Sequence, residues 1–284
     1  MIVAVNSTLK EQQTQNAHSH PRKKVSLYVK YSWFPIIVVI LFWELFARFN
    51  YGVELFNPKF LPPPSIIVAQ MWELTKSGVL IASIVASSIR VLVGSILGIV
   101  LGVLVALLIG NNKIFNYWLS PIFNVLGPIP ALAILPLFII WFGIGELPKI
   151  ILITWTVFFP VLTNTLEGLK SVNSTLIRSA MSLGASRIQI FNRVITPSIL
   201  PNILAGCQIS LGLAFSALVV SEMLGATSGL GYIIVDARNY FKIENMYVAI
   251  IVIGLEYSLF SMFFKWIESK LLSWRENGLS AVEK

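Results

Sequence analysis

Long apolar runs, interrupted by short polar segments, occupy most of the chain. A helix needs about 20 mostly apolar residues to cross the hydrocarbon core of a bilayer. A short helix is predicted at about 66–75, after the proline-rich run 61–64. The pattern predicts six membrane spans, at about 33–49, 80–109, 114–142, 148–166, 199–220 and 246–266. The expected fold class is therefore all-α, in a polytopic membrane protein.

The composition agrees with this pattern. Of the 284 residues, 56% are hydrophobic and 12% are charged, and that charged share is about half of the share in an ordinary soluble domain. A soluble core of this size would leave too much apolar surface in water. A cytosolic enzyme, a disordered protein and a disulfide-stapled secreted domain are therefore excluded. The single cysteine, Cys207, cannot form a disulfide within the chain.

The Lys and Arg residues are unequally distributed over the two sides of this map. Fourteen of the 21 lie in segments on the side of the N-terminus, and five lie on the other side. Positive residues accumulate on the cytoplasmic side of membrane proteins, so both termini are expected in the cytoplasm. The basic stretch before the first span could also belong to a signal peptide, but the apolar run continues through Glu44 to Phe49 with no small-residue cleavage site. No soluble domain is predicted that would present the net charge of +8 to a nucleic acid.

The second predicted span contains regularly spaced glycines, and the third contains several prolines. Gly94, Gly98 and Gly102 repeat every four residues, a spacing that lets helix backbones approach closely. We expect them to pack against another helix, and lining a pathway is the alternative. The third span contains several prolines, and a broken backbone at membrane depth is tolerated where it is buried in protein or lines a polar cavity. These prolines are Pro121, Pro128, Pro130 and Pro136.

Two charged residues within the spans are candidates for a substrate pathway or gate. Arg90 lies well inside the second span, where a charge is costly unless it is paired or hydrated. It could line the pathway of an anion, pair with an acid such as Glu44 or Glu256, or extend towards the membrane surface. Glu222 closes the fifth span and could brace the following loop or gate a cavity.

Catalytic and nucleotide-binding motifs do not occur in the sequence. Both histidines, His18 and His20, precede the first span, and there is no metalloprotease or serine-hydrolase motif. The glycine-rich run 225–231 lacks the lysine of a phosphate-binding loop. We therefore expect no catalytic residue, metal site or cofactor in this chain, and we expect any ATP and Mg to be bound by a partner subunit.

The loop between the fourth and fifth spans, about 169–198, is basic and contains no acidic residue. Asn173 or Ser174 can cap a short helix, a turn is predicted at 184–186, and Ser186 can cap a second short helix that Pro197 ends. Such a helix pair could rest on lipid headgroups. It could also dock a cytoplasmic partner.

Part of this loop resembles the EAA loop of ABC importer permeases. The pattern is E-A-A, three residues, G, nine residues, then I-x-L-P. The residues in register are Ala180, Gly184, Val194 and Pro197. The departures are Arg178, Ser179 and Thr196, and they leave the salt bridge of the pattern's glutamate without a counterpart. The resemblance implies that the ATPase-coupling residues are Ala180, Gly184, Ala185, Ser186, Phe191, Val194 and Pro197.

Other segments are similar to the permeases of nitrate, sulfonate, taurine and bicarbonate importers. The similar segments are 60–65, 130–137, 141–145, 221–226 and 229–232. The resemblance covers about residues 33–275, nearly the whole chain.

This resemblance implies the type I ABC importer permease fold, with a cytoplasmic coupling-helix loop. The implied organisation is an N-terminal cytoplasmic tail (1–32), a transmembrane permease domain (33–272) and a C-terminal cytoplasmic tail (273–284). In the implied assembly, two copies of this chain in a bacterial inner membrane bind two cytoplasmic P-loop ATPases and receive a small anionic solute from a solute-binding protein. A stand-alone channel or ion-driven carrier is the alternative, and a membrane anchor without transport is a third class.

Overall fold

The computed structural model describes residues 34–274, which are mainly helical. They fall into two compact units, 34–66 and 67–274. The predicted N-terminal tail, 1–32, and all but the first two residues of the predicted C-terminal tail, 273–284, lie outside the described residues.

The first unit contains helix α1 (Phe34–Val53) and a 3₁₀ turn (Pro58–Phe60), and helix α2 (Pro64–Lys76) begins in it. Asn50 fixes the chain after α1, since its side-chain amide donates to the carbonyl of Phe56 and accepts from the N–H of Phe56. Glu44 accepts from the backbone N–H of Ser65 at 3.0 Å and from Arg48 Nε at 2.6 Å. Glu44 therefore closes the first turn of α2.

The second unit contains the remaining helices. They are α3 (Val79–Asn111), α4 (Lys113–Leu126), α5 (Ala131–Phe142), α6 (Glu146–Ser171), α7 (Ser174–Ser182), α8 (Arg187–Ile190), α9 (Thr196–Gly225), α10 (Leu230–Asn239) and α11 (Ile243–Leu271). Helix α6 packs against both α3 and α9. The core between them is aliphatic and includes Val91, Ile153, Val157, Val161 and Leu218.

The predicted close packing of the glycines in α3 is confirmed. A Cβ on Gly94 would lie 2.6 Å from Ile153 Cγ2, and a Cβ on Gly98 would lie 2.7 Å from Val157 Cβ. As the chain advances from Gly94 to Gly98 on α3, the contacting residue on α6 advances from Ile153 to Val157, so α3 and α6 run parallel. The absence of side chains on one face of α3 lets the two backbones approach closely.

Five of the described helices, α1, α3, α6, the continuous run from α8 to α9, and α11, are long and apolar enough to cross a membrane. The third predicted span, 114–142, is not one helix, because α4 and α5 meet at 104°. Pro128 and Pro130 lack the N–H groups that would continue the helix, so the chain breaks at 127–130. Counting the bent pair as one span gives six, as predicted.

Two local predictions are corrected near the ends of α9. Pro197 does not end the second loop helix, because α8 continues through a π turn (Phe191–Ile195) into α9. Proline is tolerated in the first turn of a helix, where its missing N–H has little consequence. At the other end, the loop expected after Glu222 contains the ten-residue helix α10.

Candidate functional site

An open-sided cavity of about 820 Å³ lies beside the break between α4 and α5. Its wall is formed by the break itself together with one face of α6 and one face of α9. The bent third span therefore lines a cavity, which is one of the two alternatives that its prolines left open. Apolar side chains at the wall include Phe159, Ile209, Leu213 and Val220.

The polar groups at this wall are hydroxyls and amides. Thr156 and Thr163 donate their hydroxyl protons to the carbonyls of Leu152 and Phe159, at 2.8 and 3.0 Å. Ser216 donates likewise to Gly212, at 3.1 Å. None of the described residues that line the cavity is charged.

A charge cluster lies at the end of the helices opposite the 169–198 loop. This charge cluster consists of Arg90 on α3, Glu146 and Lys149 on α6, and Glu222 on α9. Arg90 is 3% exposed. Its Nε donates to Glu146 at 2.5 Å, its Nη1 donates to Glu222 at 2.7 Å, and its Nη2 donates to Glu146 at 2.8 Å.

Two further bonds from Arg90 reach Ser228, at the backbone oxygen (2.8 Å) and at the hydroxyl (3.2 Å). All five N–H groups of the guanidinium therefore have an acceptor, the full capacity of this side chain. Lys149 Nζ lies 2.9 Å from Glu146. Two cations thus face two carboxylates, and the cluster as a whole is neutral.

The charge cluster also holds the start of α10. Glu222 accepts from Gly231 N at 2.8 Å and from Ser87 Oγ at 2.7 Å, and Ser87 Oγ accepts from Leu230 N at 3.0 Å. The first N–H groups of a helix lack partners within the helix, and a carboxylate there is favoured by the helix dipole. Glu222 and Ser87 supply these partners for α10.

The structure brings the two predicted pathway candidates, Arg90 and Glu222, into one cluster, and neither lines the cavity. Of the alternatives for Arg90, pairing with an acid is confirmed, and the acids are Glu146 and Glu222. Glu256, named as one possible partner, accepts instead from Ser88, at 2.5 Å. Glu146 is not among the predicted candidates, because it lies between the third and fourth predicted spans, after two glycines that suggest a turn. Its place at the start of a span was the available signal, but the six-span map puts Arg90 about ten residues inside its own span and so does not place the two side by side.

The 169–198 loop is a pair of capped helices with an exposed apolar tip. The side chain of Asn173 caps α7, and Ser186 and Gln189 form a capping box on α8. Gly184 lies between them with φ +78°, a left-handed conformation that glycine adopts at little cost. Leu183 and Ile188 beside this turn are 88% and 73% exposed.

The predicted coupling residues are distributed along this helix pair and the π turn. Ala180 and Ala185 are half-buried against the pair, and Gly184 and Ser186 are exposed at the turn. Phe191 and Val194 lie in the π turn, and Pro197 follows in the first turn of α9. Within residues 34–274, no group of three or more His, Cys, Asp or Glu side chains is placed to hold a metal ion.

Comparison with known proteins agrees with this architecture. The fold is that of a type I ABC importer permease, and it resembles the methionine ABC transporter MetNI in an inward-facing conformation, with a TM-score of 0.57 and 21% identity over 68% of this chain and 96% of that one. The chain is 36% identical over 240 residues to the putative aliphatic sulfonates transport permease protein of Bacillus subtilis (strain 168), covering 84% of this chain and 86% of the relative.

It is also 35% identical over 227 residues to the taurine transport system permease protein of Escherichia coli (strain K12), covering 78% of this chain and 82% of the relative. The family model described as the binding-protein-dependent transport system inner membrane component matches residues 98–272. The chain therefore belongs to this family, and it is a multi-pass permease component of an ABC importer.

Proposed function

We propose that this chain forms the pathway of an ATP-driven importer for a small solute of the sulfonate or taurine class, and that the 173–196 segment couples it to a separate ATPase. The observation that carries the coupling role is the exposed apolar tip of the loop, at Leu183 and Ile188, on a rigidly capped helix pair. Large apolar side chains that protrude from a basic segment favour a protein partner. The names of the relatives support the solute class.

The proposed assembly contains two copies of this chain, two cytoplasmic ATPases that bind ATP and Mg, and a solute-binding protein on the opposite face of a bacterial inner membrane. Both termini lie in the cytoplasm in this assembly. The excess of Lys and Arg on the side of the 169–198 loop supports that orientation.

A continuous helical run connects the loop to the cavity and to the charge cluster. Residues 187–225 form one span of 39 residues, about 58 Å long at 1.5 Å per residue. Ile209, Leu213 and Ser216 on this run line the cavity, and Glu222 lies near its far end. When a closing ATPase pair displaces the loop, this run therefore moves the cavity wall and transmits force to Glu222 in the charge cluster.

The test is purification of the tagged chain from its own host in mild detergent, followed by identification of the bound proteins. We expect a stoichiometric P-loop ATPase with the unchanged chain and with Thr175→Asp, an exposed position in the first turn of α7 where an acid suits the helix dipole. Leu183→Asp should lose the ATPase while the permease still inserts into the membrane. A chain that purifies alone in several detergents would favour the stand-alone carrier or channel.

A further inference from the structure

We propose that Glu256 is a proton-binding site inside the membrane, and that at neutral pH its side chain joins α11 to α3 as an uncharged carboxylic acid. Glu256 is 5% exposed and lies near the middle of α11. The nearest charged residue along α11 is Lys265, nine residues further on. Glu256 belongs neither to the 169–198 loop, nor to the cavity wall, nor to the charge cluster, so the proton site is independent of the proposed function.

The carboxyl group of Glu256 has a partner on one oxygen only. Its Oε1 accepts from the hydroxyl of Ser88 on α3, at 2.5 Å. Its Oε2 is buried and has no hydrogen-bond partner among the described residues. A buried carboxylate is costly unless it is both paired with a cation and hydrogen-bonded. A proton on Oε2 replaces the ion by a neutral hydroxyl, and the other oxygen still accepts from Ser88 as a carbonyl.

The charged residues of the surrounding helices supply no cation to Glu256. On α3, Arg90 has all five N–H groups bound to other acceptors. On α9, the charged side chain close enough to act on Glu256 is Glu222, a second acid. On α10, the charged residues are the acid Asp236 and Arg238, which is exposed in the last turn. Within residues 34–274, no cation lies within ion-pair distance of Glu256.

The charge cluster is balanced without Glu256. Its two cations already face two carboxylates, so an ionised Glu256 would add an uncompensated negative charge near Glu222. When two acids lie close together, ionisation of one disfavours ionisation of the other. Two adjacent serines of α3 each bind one of these acids, since Ser87 donates to Glu222 at 2.7 Å and Ser88 donates to Glu256. Glu222 has Arg90 as its cation and keeps its charge, and Glu256 takes a proton instead.

A proton held at Glu256 makes the stability of the chain depend on pH. In an unfolded chain, a glutamate in water loses its proton at about pH 4.3. If the folded chain keeps this proton at higher pH, it binds more protons than the unfolded chain, and its stability falls as the pH rises. Glu256→Gln is neutral at every pH and keeps a carbonyl for Ser88, so this dependence should disappear in it.

Infrared spectroscopy of the full chain tests for the proton directly. The chain is purified in a maltoside detergent, which contributes no carbonyl band, with an isotopic label on the carboxyl carbons of its glutamates. We expect a label-sensitive C=O band of a carboxylic acid at neutral pH. The band should be lost in Glu256→Gln and retained in the control Glu73→Gln, whose side chain is 65% exposed. Ser88→Ala should keep the band but shift it to higher frequency, because the carbonyl loses its hydrogen bond.

Scanning fluorimetry adds a second readout. As the pH rises from mildly acid to mildly alkaline, the melting temperature should fall more steeply for the unchanged chain and for Glu73→Gln than for Glu256→Gln. If Glu256→Gln yields no folded chain, the band and its shift in Ser88→Ala decide.

Three results would each overturn the proposal. They are the absence of a label-sensitive acid band at neutral pH, a band that survives in Glu256→Gln or does not shift in Ser88→Ala, and an equal pH dependence for the unchanged chain and Glu256→Gln. A missing band together with a melting temperature that sodium ions raise would assign the site to a metal cation instead.

Discussion

At the scale of single residues, Arg90 connects more elements than any other side chain described above. It is anchored on α3, and its guanidinium reaches the start of α6, the end of α9 and the segment before α10. An arginine suits this position because its planar fork binds two carboxylates and a backbone oxygen at once, which a lysine cannot do. The charge cluster therefore fixes the start of α6, the end of α9 and the start of α10 relative to α3.

Loss of the Arg90 side chain should be strongly destabilising. Arg90→Leu leaves the carboxylate of Glu222, 1% exposed, without its cation, and breaking one side of a buried ion pair costs about 3–5 kcal/mol. Scanning fluorimetry of the detergent-purified chain should show a clearly lowered melting temperature. Arg48→Leu is the control, because the Arg48 side chain is exposed and its pair with Glu44 is accessible to water. Equal shifts for the two variants would contradict the bracing role of the cluster.

The sequence identified Arg90 and Glu222 but not the hydrogen-bond and ion-pair partners of their side chains. A charge within an apolar span stands out because it is costly there, so both residues could be found from the pattern alone. Their partners depend on which helix ends meet in three dimensions. Glu146 follows Gly143 and Gly145 in what reads as a turn, and only the parallel packing of α3 and α6 brings its carboxylate to Arg90.

At the scale of elements, the glycines of α3 determine how closely it packs against α6. Gly98→Ala places a methyl group 2.7 Å from Val157 Cβ and 2.8 Å from the Thr154 carbonyl, and overpacking of this kind costs about 1–3 kcal/mol. Gly254→Ala on α11 is the matched control, since no atom lies within 4 Å of its added methyl. The melting temperature should fall for the first variant and stay level or rise for the second. A neutral Gly98→Ala would show that α3 and α6 separate easily.

The turn between α7 and α8 gives a second test at this scale. Gly184 has φ +78°, which asparagine tolerates and a β-branched residue does not. Gly184→Val should therefore disturb the loop tip and abolish ATP-dependent uptake, while membrane insertion persists. Gly184→Asn should retain both uptake and the bound ATPase. Normal uptake by the valine variant would count against a coupling role for this turn.

The elements that the sequence missed are those whose ends depend on local backbone chemistry. The apolar run 114–142 reads as one span, because hydropathy does not record the two missing N–H groups at Pro128 and Pro130 that turn α5 away from α4. Helix α10 was missed because ten residues of mixed polarity resemble a loop. Its start is stabilised by Glu222 and Ser87, which are distant in sequence.

At the scale of the whole molecule, the proposed site is distributed along the run from α8 to α9. The loop tip, the cavity wall and Glu222 lie at its beginning, middle and end. The six-span count and the basic loop could be predicted from hydropathy and charge. The continuity of this run could not, because Pro197 suggests the end of the second loop helix, and the first turn of α9 accommodates it.

The π turn at Phe191–Ile195 determines the angle, about the helix axis, between the loop residues at the start of the run and the residues that line the cavity. A π turn holds one residue more than the α-helical turn that it replaces, and each residue of an α-helix turns the chain by about 100°. Deletion of Asn192, an exposed residue in this turn, should restore a plain α-helix. The ATPase should then still bind, but uptake should be lost, and co-purification together with an uptake assay would check this. The angle at which an ATPase stroke reaches the pathway would thus depend on a single inserted residue.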